Sequence, residues 1–215
     1  MSSFKYTRPD RFPPIIKNLI IINALVWIAQ LIYDKQWGLT PEIALWPLDS
    51  PFFKPYQIAT HMFAHASYDM KGNIVFIHIL FNMFALFMFG RILENVWGAK
   101  RFLMFYFACG LGSAATHLVM QAIMGTGAPA VGASGAIMGV FVAFAYLFPN
   151  TELLMIPIPF PIKAKWLAIG YILLDLFGGF GQVGSDIAHF AHLGGALTGF
   201  LIVLFWNKKN RRTLY

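Results

Sequence analysis

Charge is scarce in this sequence: Asp, Glu, Lys and Arg make up only 12% of its 215 residues, about half the ~25% of an ordinary soluble domain. A chain so short of charged groups cannot clothe its surface for water, which excludes a soluble enzyme. Cysteine is almost absent as well. Cys109 stands alone in an apolar run, so it forms no internal disulfide; a disulfide-stapled scaffold is excluded and inert packing is its expected role. Internal repeats and low-complexity linkers are missing, and with them the fibrous and disordered classes. The sixteen basic residues outnumber nine acidic ones. They form no continuous basic helix and no aromatic-interleaved stripe, so nucleic acid is not an expected partner.

What fills the chain instead is apolar: 58% hydrophobic residues and 17% aromatic, with a mean hydropathy of +0.63. Such a surface faces lipid. Six apolar runs, at residues 15–33, 74–93, 102–123, 132–147, 165–180 and 186–206, approach the ~20 helical residues that cross a hydrocarbon core, the fourth and fifth being short. The first run is no cleaved signal: it is too long, carries Asn18, Asn23 and Gln30, and no small-residue cleavage site follows. The alternate prolines Pro157, Pro159 and Pro161 cannot continue a helix and mark a stiff interfacial connection. The expected fold is therefore all-α, a polytopic membrane protein with six transmembrane helices in a compact bundle over residues 15–206. A short cytoplasmic segment, residues 1–14, precedes it, and a basic cytoplasmic tail, residues 207–215, follows. Basic residues set the orientation. With the N-terminus cytoplasmic, only Lys35, Lys54 and Lys71 fall outside and the other thirteen fall inside, a bias expected of both termini in the cytoplasm.

That orientation assigns a depth to each polar group. Span two enters from outside, placing His78 and Asn82 one and two turns down; span four carries Ser134 in its first turn; span six places His189 and His192 roughly 5–9 Å down at 1.5 Å per residue. His78, Asn82, Ser134 and His192 thus share one level in the outer third. Polar side chains inside a bilayer are costly and usually mark a functional interior. His78 and Asn82, four apart, project from one helix face. Gly135 and Gly139 form one small-xxx-small pair and Gly195 and Gly199 another, so two backbones can approach closely. If those faces meet, Ser134 and His192 are drawn together, and a serine beside a neutral histidine can lose its proton and attack a carbonyl. Free N–H groups at the start of span four, with Asn82 and His78, would hold the resulting oxyanion.

Each feature also has an ordinary reading. Glycine pairs commonly serve packing alone, and a lone membrane serine commonly bonds its own backbone. His117 and His189 read as structural, and Asp175, near the outer end of span five, as a cap or gate. His61, His65, His189 and His192 offer nitrogen ligands, but no Asp, Glu or Cys completes a recognisable set, so no metal is expected. The combination at one depth is what outweighs these separate readings.

The same residues resemble a known family. His78-Ile79-Leu80-Phe81-Asn82 fits an HxxxN motif, Gly90 and Glu94 a GxxxE, Gly132-Ala133-Ser134-Gly135 a GxSG, and Ala191-His192-Leu193-Gly194-Gly195 an AHxGG. In this order, over residues 46–199, they resemble a bacterial rhomboid intramembrane serine protease of the basic six-span type. The resemblance implies a Ser–His dyad with no third carboxylate: Ser134 the nucleophile, His192 the general base, and Asn82, His78 and the Ser134 N–H the oxyanion site. Gly132, Gly135, Gly139, Gly195, Gly199, Gly90 and Glu94 would shape and pack the helices, and no cofactor is implied. Substrates would be single-span or polytopic membrane proteins cut near the outer face, with membrane lipids as the other partners and a bacterial cytoplasmic membrane as the location. The sequence departs from the pattern in three places: Tyr56-Gln57 stands where a Trp-Arg pair is common, residues 66–77 form a longer connection, and Met138 replaces a frequent tyrosine. A catalytically silent relative that binds and escorts membrane proteins is the alternative; its hallmark would be loss of the serine or histidine. A transporter is the other, but the polar groups cluster at one end and no repeat symmetry is present.

Overall fold

Prolines and a carboxylate start the first helix. In the structure, a computed structural model that describes residues 9–69, 71–125, 127–154, 160–178 and 186–210, helix α1 runs Pro14–Trp37. Pro14 occupies the first helical position, where its missing N–H costs nothing. The next two N–H groups, of Ile15 and Ile16, donate to the two carboxylate oxygens of Glu94 at 2.9 Å each, a charge-assisted cap supplied from another helix. Gly90, one turn before Glu94, leaves the space that Ile16 and Phe102 fill: a Cβ there would come within 2.5 and 3.1 Å of their side chains.

Short helices α2 (Leu39–Ile43) and α3 (Gln57–Thr60) lie in the connection that follows. Helix α4 (Ile77–Ala85) passes through a π turn, Leu86–Gly90, into α5 (Arg91–Trp97), making one continuous apolar stretch of 21 residues. Gly98, with φ 78°, breaks it from α6 (Ala99–Met124). Helix α7 (Ser134–Leu147) follows. A small antiparallel hairpin of β1 (Glu152–Leu153) and β2 (Ile162–Lys163) leads to α8 (Ala164–Gly178), and α9 (Asp186–Asn210) closes the described chain. Among the described residues four stretches are long and apolar enough to cross a membrane: α1, α4 with α5, α6, and Ala188–Lys208 of α9. Helices α7 and α8, of 14 and 15 residues, extend only about 21–22 Å, short of a ~30 Å core. The architecture is that of an all-α, multi-pass membrane protein.

The apolar runs read from the sequence lie on these helices with shifted ends. The second starts at Ile77 rather than 74 because Ile74 bridges to Tyr68 across a turn whose N–H groups at Lys71 and Asn73 donate to Asp69. The fourth starts at Ser134 rather than 132. Residues 179–180 of the fifth run, the prolines at 157 and 159, the charges at Lys5, Arg8, Arg211 and Arg212, and much of the terminal segments 1–14 and 207–215 lie outside the described residues.

The interior is built on α6, α7 and α9, where small residues let backbones meet. A Cβ at Gly112 would strike Thr198, and one at Gly194 would strike Thr116 and the Gly112 carbonyl. Fully buried Phe102, Phe105 and Tyr106 fill the space toward α5 and α1. Polar residues in α1 have work to do. Gln30 donates to the His65 carbonyl at 2.8 Å and accepts from the His65 N–H at 3.0 Å, fastening the loop to the helix. Gln57, where the family pattern differs, is fully buried and donates to the carbonyls of Glu42 and Phe52.

Candidate active site

The backbone that leads into α7 is held on both sides. Leu45 and Ala130 exchange N–H···O bonds of 2.9 Å, and the Gly132 N–H donates to the His61 carbonyl at 2.9 Å. Gly132 has φ 121°, a conformation closed to other residues. A Cβ there would lie 3.0 Å from His78 Nε2 and 3.7 Å from Ser134 Oγ. Glycine therefore serves twice, turning the chain into the helix and letting an imidazole lie against it. Ser134 then opens α7, where the first-turn N–H groups have no helical carbonyl to meet.

Ser134 Oγ lies 2.9 Å from Nε2 of His192 on α9. The contact beneath it is backbone on backbone. A Cβ at Gly195 would land on the Gly135 carbonyl; one at Gly199 would lie 2.7 Å from the Gly139 carbonyl oxygen, and one at Gly139 would lie 2.8 Å from that of Gly195. Behind these glycines stand Ser113 and the buried Cys109 of α6. Met138 packs with Val142 and Ala196 in a small buried cluster, with Ile172 of α8 against it.

From α4, His78 accepts the Ala66 N–H on Nδ1 at 3.3 Å, which leaves its Nε2 as the donor. Asn82, buried, donates one amide hydrogen to the His78 carbonyl a turn earlier, at 2.8 Å. The His65 ring lies 5.2 Å from that of His78. His65 sits outside the spans, and burial, with the neighbouring His78 second, pushes its pKa down to about 4. His61 is likewise held below its ordinary value by burial. His117 is buried on α6.

A carboxylate also stands beside the pair. Asp175 Oδ1 is 3.3 Å from His192 Nδ1 and 2.7 Å from His189 Nδ1. The carboxylate is only 8% exposed, against 27% and 32% for the two imidazoles. Its Oδ2 is buried without a partner among the described residues. These three side chains bring a carboxylate oxygen and two ring nitrogens within 4.8 Å of one another, the one such group found among the described residues. An ion there would take positions that hydrogen bonds already occupy.

The structure thus brings together Ser134, His192 and the glycines beneath them, with His78 against Gly132 and Asn82 one turn below it; Gly90 and Glu94 work at a distance, holding α1. Asp175, read from the sequence as a cap or gate, was singled out there, but its link to His192 was missed. Also missed was the Gly112 and Thr116 face of α6, which has only one glycine at the expected spacing.

The chain is similar to known proteins over most of its length. Residues 53–209 match the rhomboid domain family. Rhomboid protein 1, mitochondrial, of Saccharomyces cerevisiae is 34% identical over 168 residues, covering 73% of this chain and 47% of that protein. Presenilin-associated rhomboid-like protein, mitochondrial, of Mus musculus is 29% identical over 204 residues, covering 93% of this chain and 51% of its own. Rhomboid protease GluP of Bacillus subtilis is 33% identical over 124 residues, 57% of this chain and 22% of that protein. The chain spans about half the length of the first two.

Proposed function

The chain belongs to the rhomboid family, and from that premise we propose that it is an intramembrane serine endopeptidase that cleaves transmembrane protein substrates near the outer membrane face. The observation that carries the reading is the 2.9 Å approach of Ser134 Oγ to His192 Nε2. His192 takes the hydroxyl proton on Nε2 as Ser134 Oγ bonds to the scissile carbonyl carbon. The carbonyl oxygen becomes an oxyanion facing the Ser134 N–H, the Asn82 amide and His78 Nε2–H. His192 returns the proton to the departing amine, leaving an acyl-enzyme on Ser134. Water, activated by the same imidazole, then releases the new carboxylate and restores the serine.

A peptide bond within a regular helix is shielded by its own hydrogen bonds, so the substrate must unwind at the cut. A polar site near one membrane face supplies both the water and the replacement hydrogen bonds that this requires. The reading keeps residues 15–206 as the membrane unit, with both ends on the basic, cytoplasmic side of a bacterial cytoplasmic membrane. Fractionation and protease protection of tagged termini in the source cell test that placement; a mitochondrial or reversed position would revise it. The escort alternative expects a lost serine or histidine, and both are present.

The deciding experiment uses the purified protein in detergent with a model single-span substrate. Wild type should cleave; Ser134→Ala and His192→Ala should not. A fluorophosphonate should label Ser134 in the wild type and fail to label the His192 variant. Equal cleavage by all three proteins would end this reading.

A further inference from the structure

Asp175 has no role in a two-residue mechanism, yet it is the most buried group in the His189–His192–Asp175 cluster. It sits in the last turns of α8 with 6% of its surface exposed. A carboxylate at such a position in an apolar helix is costly unless it serves a purpose. One oxygen faces Nδ1 of both His189, at 2.7 Å, and His192, at 3.3 Å. The two rings stand nearly perpendicular, with centroids 6.5 Å apart. Room for the His189 ring comes from Gly178, where a Cβ would lie 2.8 Å from His189 Nε2.

We propose that Asp175 is a positioning residue for His192, aimed by His189, so that the pair operates as a Ser134–His192–Asp175 line. This rests on the serine-protease reading above. A carboxylate accepts hydrogen bonds and donates none when ionised. Facing it, the neutral His192 carries its proton on Nδ1, which leaves the Nε2 lone pair directed at Ser134 Oγ, 2.9 Å away. When Nε2 takes the serine proton, the imidazolium forms beside a negative charge already in place. The Nδ1 proton stays on His192 throughout, and only the serine proton moves. His189 makes the shorter bond to the shared oxygen, so it fixes the carboxylate while His192 remains free to turn slightly during proton transfer. The rival is a mechanical pin that fastens α8 to α9.

The two roles separate by kinetics. Asp175→Asn keeps shape and removes charge. On positioning, kcat falls about 10- to 100-fold with KM unchanged, less than the ~10⁴-fold known where such a carboxylate is fully engaged, because the contact here is long. Thermal unfolding in detergent should barely move. Asp175→Glu, which restores the charge, should recover part of kcat. In protein carrying ¹⁵N-labelled histidine, His192 should shift away from the Nδ1–H tautomer in Asp175→Ala. His189→Phe should lower kcat by a smaller factor. Normal kcat in Asp175→Asn, or a lowered unfolding temperature with kcat retained, overturns the inference and leaves the pin. If instead Ser134→Ala and His192→Ala still cleave, the protease reading itself has failed.

Discussion

Helices α7 and α8 differ by one residue in length and are both strongly apolar, yet they live in different surroundings. Eleven of the fourteen residues of α7 are buried, against Ala164, Ala168 and Asp175 alone in the fifteen of α8. Hydrophobicity cannot be the cause, since lipid is as apolar as any side chain and gives no drive to bury one. Shape decides. Gly135, Ala136, Gly139 and Ala143 let α6 and α9 close onto the α7 backbone, whereas α8 sends Trp166, Leu173, Leu174 and Phe177 outward. A crevice of about 600 Å³, lined by Val142, Ile169, Ile172, Leu193 and Ala196 among others, opens between α8 and the helices α7 and α9 beside it. Ser134 therefore stands on the closely packed, fixed helix and Asp175 on the sparsely packed one.

Small-to-large substitution breaks this contrast most directly. Gly139→Leu would drive a side chain into Cys109 and the Gly195 carbonyl, and should abolish both cleavage and a cooperative thermal transition in detergent. Gly170→Leu on α8, where a Cβ meets nothing within 4 Å, should leave both intact. A Gly139 variant as stable as wild type would show that α7 is not the rigid partner. Within the site, Asn82→Ala should reduce kcat on the order of 10²-fold, the ~3 kcal/mol cost of one lost oxyanion donor, with little change in unfolding temperature. An unchanged kcat would reassign Asn82 to packing.

The smallest effect concerns the loop on the fixed side. His65 titrates near 6.5 when unfolded but at about 4 when folded. As pH falls from about 6.5 toward 4, the unfolded chain takes up a proton that the folded one does not, so stability must decline across that window. The unfolding temperature should drop by a few degrees on acidification, and less in His65→Gln. A flat profile in the wild type would mean that the His65 pocket is wet.

Much of this was legible in the sequence because membrane helices announce themselves by length and apolarity, and because Ser134, His192, His78 and Asn82 are polar groups set in or beside apolar runs. Helix ends were less legible: Gly98 and Gly132 terminate or delay helices through backbone angles that composition does not encode. Asp175 was visible as a costly group and was read as a cap or gate, not as a partner of His192. The partners of Asp175 lie 14 and 17 residues away on another helix, and side-chain spacing along one helix says nothing about the neighbours it meets on another. Gln30 was hidden for the same reason, its partner being a backbone 35 residues on.

The paired bonds between Leu45 and Ala130, with that from Gly132 to His61, weld the long first connection to the segment bearing Ser134. Lifting that connection would drag the hydroxyl along and spoil its aim. Asp175, by contrast, is tied to α9 among the described residues only through side chains, at His189 and His192, so α8 could shift without moving Ser134 and would take its carboxylate with it.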